Sequence, residues 1–110
     1  MSIDTAVIRG TLDPLILRVL TLEPMHGWGI SERIQVLSAE ALRAQQGSLY
    51  ASLHRLTREG WIRSYWEDTE SGRRARYYAL TKAGLRQTAV ETDRWLRLSA
   101  GVCRLIASTS

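Results

Sequence analysis

The sequence predicts a mainly α (α+β) domain: three short helices, a two-stranded hairpin and one long terminal helix. Three observations predict it. Apolar residues recur at helical spacing in four separate stretches, with Pro24 and Gly60 as punctuation between them. Residues 61–80 instead carry aromatic and mixed residues at strand spacing around the turn Thr69-Glu70-Ser71-Gly72-Arg73. An apolar content of 45% in 110 residues fits one globular unit with a modest core. Residues 1–81 are expected to form the compact part and residues 82–110 a helix that extends from it.

Each element has its own justification. Before Thr11 nothing is strongly patterned, although Ile3, Val7 and Ile8 could extend a first helix backwards. Asp13 followed by Pro14 reads as an N-cap and first helical residue, since proline there loses no hydrogen bond. Leu15, Ile16, Leu17, Val19, Leu20 and Leu22 then make a helix apolar nearly all round, hence central, and Pro24 ends it. A second helix spans Gly27–Leu37, with Ile30, Ile34 and Leu37 on its inner face. Residues 40–44 connect it to a third helix, 46–59, which stops at Gly60, a residue suited to a left-handed C′ position.

Leu49, Leu53 and Leu56 bury one side of the third helix. Its other side carries Gln46, Gly47, Tyr50, Ala51, His54 and Arg58, with almost nothing to bury. In the strand 61–68, Ile62, Ser64 and Trp66 face one way and Arg63, Tyr65 and Glu67 the other. The return strand is 74–80. Thr81 caps the final helix, residues 82–107, roughly 39 Å long at 1.5 Å per residue.

Three helices closed by a hairpin make a winged helix-turn-helix with a two-stranded wing. In that arrangement the second helix braces the third, which enters the major groove of double-stranded DNA. Gln46, Ser48 and Tyr50 then lie near the leading end of the reading helix, where glutamine suits adenine and hydroxyls suit bases or phosphates. Ala51, like Gly47, is small enough to let the backbone approach the groove. His54, Arg55 and Arg58 lie further along, beside phosphates, and Arg73, Arg74 and Arg76 arm the wing.

Blander readings stand beside these. Tyr50 also fits as the edge of the core, Arg55 and Arg58 as solvated helix residues, and the wing arginines as a soluble hairpin. Glu67, Asp68 and Glu70 sit next to those arginines and oppose phosphate, so the tip, residues 71–74, is favoured over the whole ribbon.

Charge supports an anionic partner only locally. The net charge is +4 with a pI near 9.8. Residues 1–80 hold 10 Arg against 9 Asp or Glu, and residues 81–110 hold 5 basic against 2 acidic residues. Of the 15 basic residues 14 are Arg, which suits bidentate phosphate and guanine contacts. A single cysteine, Cys103, excludes an internal disulfide and a thiolate metal cluster. His26 and His54 have no partner in a recognisable catalytic order, and His26 reads as a cap or packed residue. The glycines of HGWGIS are no phosphate loop, because no strand precedes them and no GK[ST] follows. No enzyme, metal or cofactor is expected. No membrane span or secretory signal is evident, and the cytoplasm is the expected location.

An ordered set of motifs closely resembles the PadR-like family of bacterial transcriptional regulators. It comprises Gly10-Thr11-Leu12-Asp13, Pro24-Met25-His26-Gly27-Trp28-Gly29-Ile30, Gly47-Ser48-Leu49-Tyr50 and Leu53-His54-Arg55-Leu56. Glu59-Gly60-Trp61-Ile62, Gly72-Arg73-Arg74 with Tyr77-Tyr78, and Leu80-Thr81-Lys82-Ala83-Gly84 continue it. The resemblance implies a homodimeric winged-helix repressor that often binds at its own or a neighbouring promoter, here of the subgroup with one short C-terminal helix.

The final helix fits that expectation. Leu85, Ala89, Trp95, Leu96, Leu98, Val102, Cys103, Leu105 and Ile106 make an apolar stripe too wide for a solitary surface helix. A second copy is the expected cover, with Leu85, Ala89, Trp95, Leu96, Val102 and Ile106 at the dimer seam. Two-fold pairing would set two reading helices about 34 Å apart, one turn of DNA. Multidrug-sensing members of the resembled family hold flat hydrophobic compounds between paired tryptophans of this helix. Trp95 aligns with that residue, which implies a small hydrophobic effector; a Trp that only packs the interface is the plain alternative. Two other classes stay open: an interaction module of the same fold acting through protein contacts, and a small-molecule carrier.

Overall fold

In the computed structural model, residues 3–4 and 11–110 are described. The expected backward extension of the first helix through Val7 and Ile8 lies outside them, as does Gly10 of the first motif. The order is β1 (Ile3–Asp4), α1 (Leu12–Leu20), β2 (Met25–His26), α2 (Gly27–Leu37), β3 (Leu42–Arg43), α3 (Gln46–Arg58), β4 (Ile62–Asp68), β5 (Arg74–Leu80) and α4 (Lys82–Thr109). The winged helix-turn-helix expected from sequence is present, with the long terminal helix following it.

The core forms where the three short helices meet the base of the hairpin. Leu12, Ile16, Leu17, Val19 and Leu20 of α1 pack with Ile30 and Ile34 of α2, Leu49, Leu53 and Leu56 of α3, and Ile62 and Tyr78 of the sheet. Each such aliphatic side chain contributes about 1.5–3 kcal/mol by leaving water.

α1 starts earlier than its Asp-Pro signal predicted. Thr11 precedes the first turn without a side-chain cap, Leu12 is already helical, and Asp13 and Pro14 fall inside the turn. Pro14 costs nothing there, because the first four amides of a helix have no intrahelical partner. Asp13 is not a cap; both its oxygens are taken by Arg55. The helix also ends sooner than expected, at Leu20, leaving Leu22 exposed. α2 begins and ends where expected, but Leu37, placed on its inner face, is 62% exposed in the last turn.

α3 ends in a Schellman motif. Gly60, at φ +79°, takes the left-handed C′ position, while the Gly60 and Trp61 amides donate to the carbonyls of Thr57 and Leu56 at 3.0 and 3.1 Å. The next cap is tied to this one. Thr81 Oγ1 donates to the Gly60 carbonyl at 2.7 Å and accepts from the Gly84 amide at 3.0 Å. The Thr81 amide donates to the Trp61 carbonyl at 3.1 Å. Gly84 itself has no room for a side chain, since a Cβ there would lie 1.8 Å from that same carbonyl oxygen.

The sheet has one strand more than the two-stranded wing expected. Met25 and His26 pair antiparallel with Tyr78 and Tyr77, giving the order β2-β5-β4 with β5 central. β4 and β5 pair from Ile62↔Leu80 to Asp68↔Arg74. A two-residue strand leaves no periodicity in the sequence, which is why β2 was invisible there. Trp66 keeps the side expected of it, in unbroken register with Ile62 and Ser64, yet is 57% exposed. The ribbon outruns the core, so beyond Tyr65 both faces meet solvent.

α4 runs 28 residues, about 42 Å at 1.5 Å per residue. Its first turns are fastened to the domain: Thr88 is buried and its hydroxyl donates to the Gly84 carbonyl at 2.7 Å. From Leu96 onward its large apolar side chains, Leu96, Leu98, Val102, Leu105 and Ile106, are exposed. No helix among the described residues is long and apolar enough to cross a membrane.

Candidate nucleic-acid interface

The leucine register of α3 decides which side chains it offers to a ligand. Because Leu49, Ser52, Leu53 and Leu56 turn inward, Gln46, Gly47, Tyr50, Ala51, His54 and Arg58 all lie on exposed surface, and Ser48 is half-buried. No acidic residue lies in the first turn of α3, so the partial positive charge of the helix start is unopposed on its own element.

Between the start of α2, Tyr50 of α3 and the wing lies an open trough of about 1000 Å³. It gathers Tyr50 with Arg73, Arg74 and Arg76, four of the residues singled out from sequence. Gln46, Ser48, Ala51, His54, Arg55 and Arg58 lie outside it, along α3. Tyr50 is 50% exposed and leans its hydroxyl over Gly27, so that a Cβ at Gly27 would come within 2.8 Å of it. The ring is thus steadied by the start of α2 while half of it stays available. Tyr78 lies behind it; burial pushes its phenol above the usual range, Arg76 opposes this and Tyr50 adds to it.

The cations divide into two kinds. Among the described residues, Arg58, Arg73 and Arg74 make no side-chain hydrogen bond or ion pair, and their guanidinium groups stand exposed. Arg76 instead donates to Ser64 Oγ at 3.1 Å and lies over the Trp66 ring, 5.7 Å from its centre. Arg55 is also engaged. Its Nε and Nη2 donate to the two oxygens of Asp13 at 3.1 and 2.7 Å, and Nη2 donates to Ser52 Oγ at 3.0 Å. The hydrogen bond to Asp13 holds the Arg55 guanidinium above its ordinary pKa against a smaller effect of burial. Arg55 therefore reaches across to α1 while its side chain stays 46% exposed.

Sequence reasoning missed the aromatic walls of the trough. Trp28 and Trp66 stand exposed on its α2 and wing sides, with His26 and Tyr77 at its floor. His26 caps α2 through Nδ1, which accepts from the Gly29 amide at 3.0 Å, and meets Tyr77 edge-on at 5.4 Å; Tyr65 stacks on Tyr77 at 5.9 Å. The exposed tryptophan two residues after a helix-capping histidine is the signal that could have marked this surface. Three carboxylates, Glu23, Glu32 and Glu70, share the trough with Arg33 and the wing arginines. Glu70 lies in the wing turn itself, beside Arg73 and Arg74.

A second, smaller site lies between α1 and α4. A groove of about 130 Å³ is walled by Thr11, Pro14, Leu15 and Arg18 on one side and Glu91, Thr92, Trp95 and Leu96 on the other. Thr11 is 7% exposed, and its hydroxyl has no hydrogen-bond partner among the described residues. Of the expected seam residues, Leu85, Ala89, Trp95, Leu96, Val102 and Ile106 are all exposed on the single chain.

Residues 16–90 match the model of the transcriptional regulator PadR-like family. An uncharacterized protein from Lysinibacillus sphaericus is 32% identical over 78 residues, 71% of this chain and 72% of that one. The solved structure of a transcriptional regulator from Clostridium thermocellum is 28% identical, covers 93% of this chain and 96% of its own, and superposes with a TM-score of 0.79. That of a PadR family transcriptional regulator from Eggerthella lenta is 30% identical, covers 92% and 86%, and has a TM-score of 0.72.

Proposed function

Because the chain belongs to the PadR-like family of transcriptional regulators, we propose that it is a homodimeric repressor that reads a palindromic operator with α3 and the wing. One observation carries this reading: Tyr50 of α3 and the arginines of the wing open onto one trough, beside an α3 face with nothing to bury. Gln46, Ser48, Tyr50 and Ala51 supply the contacts near bases, with His54 and Arg58 further along the groove edge. Arg73 and Arg74 supply phosphate contacts from the wing tip, and Arg76 stiffens the ribbon beneath them.

Residues 82–110 form the dimerisation element. An apolar face as large as the exposed half of α4 is stable only when covered, and a second α4 is its self-complementary cover. Trp95 gives the groove against α1 one of its walls, and the groove's size suits a small planar apolar effector. Occupation there would shift the two α4 helices and release the operator.

The test is protection of DNA upstream of the protein's own coding region. An inverted repeat with half-site centres about one helical turn apart should be protected. Affinity should fall steeply with salt, since each neutralised phosphate contributes about 0.9 to the slope of log K against log salt. Salt-insensitive association, or protection of a single half-site, would refute the dimeric reading head.

A further inference from the structure

The Asp13–Arg55 bridge joins residues 42 positions apart and belongs to no contact that the DNA reading requires. Arg55 lies on α3 among residues expected at phosphates, yet its guanidinium is turned to α1 and also holds Ser52, which is buried. The pair is half-sheltered, with side-chain exposures of 46% for Arg55 and 24% for Asp13. Two parallel N–H···O bonds in a planar fork fix orientation as well as distance, which a lysine's point charge does not.

The leucines of α3 fix its depth, but packing of this kind sets a crossing angle only to within about 15–20°. Arg55 stands nine residues after Gln46, so about 13 Å of helix separates the bridge from the leading end. A tilt of about 5° about that point moves Gln46 by about 1 Å, enough to disturb a base contact.

The other end of the bridge sits on the first turn of α1, and the adjacent face of that helix start, through Thr11, Pro14, Leu15 and Arg18, walls the Trp95 groove. The first two turns of α1 thus hold both the reading helix and the face against α4. We infer that Arg55 is a positioning residue and not a phosphate contact: its bridge to Asp13 sets the angle of α3 on α1 and so couples operator reading to α4. This rests on the reading of α3 as the DNA-contacting helix.

A double-mutant cycle on the full-length protein tests it, using a duplex that the wild type selects from a random-sequence pool. Arg55→Gln and Asp13→Asn should each weaken binding by roughly tenfold, and the double variant should be no weaker than either single one. The salt slope should stay at the wild-type value in all three, and Arg55→Lys should restore binding only in part. A flatter slope in Arg55→Gln would overturn the inference, because a phosphate contact would then have been lost. Tighter binding by Asp13→Asn, which releases the arginine, would overturn it as well, as would unchanged affinity in both. Thermal midpoints by circular dichroism separate a tilted helix from an unfolded one: an affinity loss that scales with loss of folded protein counts against positioning. A wild type that selects no duplex at all removes the DNA reading and the bridge's role together. A wild type that binds while the variants behave as phosphate-contact losses removes the bridge's role alone.

Discussion

Replacing Gly84 by alanine adds one methyl group at the glycine with the least room among the described residues. The new Cβ would lie 1.8 Å from the Trp61 carbonyl oxygen, 2.8 Å from its carbon and 3.2 Å from Leu80 Cδ2. Ordinary contact begins near 3.4 Å, so the shortfall against the oxygen is about 1.6 Å. That oxygen cannot retreat cheaply. It accepts the Thr81 amide at 3.1 Å, and Trp61 closes the C-terminal motif of α3 through Leu56. The first turn of α4 must lift instead. Lifting breaks the bonds from Thr81 Oγ1 to Gly60 and from the Gly84 amide to Thr81, each a net of about 1 kcal/mol. Overpacking adds about 1–3 kcal/mol, while alanine returns somewhat less than 1 kcal/mol of helix propensity. The net loss is about 3 kcal/mol. For a domain of this size that lowers the thermal midpoint by about 15 °C. Thermal unfolding followed by circular dichroism measures it. Gly47→Ala is the control, because nothing lies within 4 Å of the Cβ it would add, and its midpoint should match or exceed the wild type. A Gly84→Ala midpoint within about 2 °C of wild type would refute the crowding argument.

Thr81→Ala removes the cap of α4 together with the bond to Gly60, and chemical denaturation should show a loss of about 1–2 kcal/mol. Tyr50→Ala should weaken operator binding by about tenfold in a gel shift, with a thermal midpoint near wild type because half the ring is already in solvent. Replacing Arg73 and Arg74 by alanine should lower affinity for all duplexes and reduce the salt slope of the dimer by about 3 to 4, at four phosphate contacts per dimer. Trp95→Ala should raise the dimer dissociation constant by about tenfold in sedimentation equilibrium and abolish quenching by planar compounds.

Most of the architecture was legible because it depends on local periodicity. The leucine spacing of α3, the Gly60 stop and the Thr81 cap each act within a few residues, and the structure has all three where the sequence placed them. The misplacements involve partners distant in sequence. Asp13 looks like a cap until Arg55, 42 residues on, occupies both its oxygens. β2 exists only because Tyr77 and Tyr78 offer it a free edge of β5. Leu37 follows the apolar spacing of α2 but lies past the point where α1 and α3 can cover it, and Trp66 stands beyond the end of the core. Periodicity says which side of an element faces inward; it does not say how far the neighbouring layer reaches.

The same distinction changes the meaning of the charge count. The 10 arginines of residues 1–80 look nearly cancelled by 9 acids, which weakens any electrostatic argument for DNA. Their geometry sorts them differently. The charge of Arg55 is matched by Asp13, whereas Arg76 keeps its charge but is held along the ribbon by Ser64 and Trp66. Arg58, Arg73 and Arg74 are exposed and make no side-chain bond among the described residues. Counting these three alone, the proposed homodimer would carry two on its α3 helices and four on its wing tips. On the proposed reading, the wings would supply most of the sequence-independent attraction from these three, while the first turn of α3 would meet bases with side chains that carry no charge. Affinity and specificity reside on separate elements in that arrangement. On the inferred role of the Asp13–Arg55 bridge, the angle between them would be set by how α3 sits on α1, and the pair would matter more to reading than its net charge of zero implies.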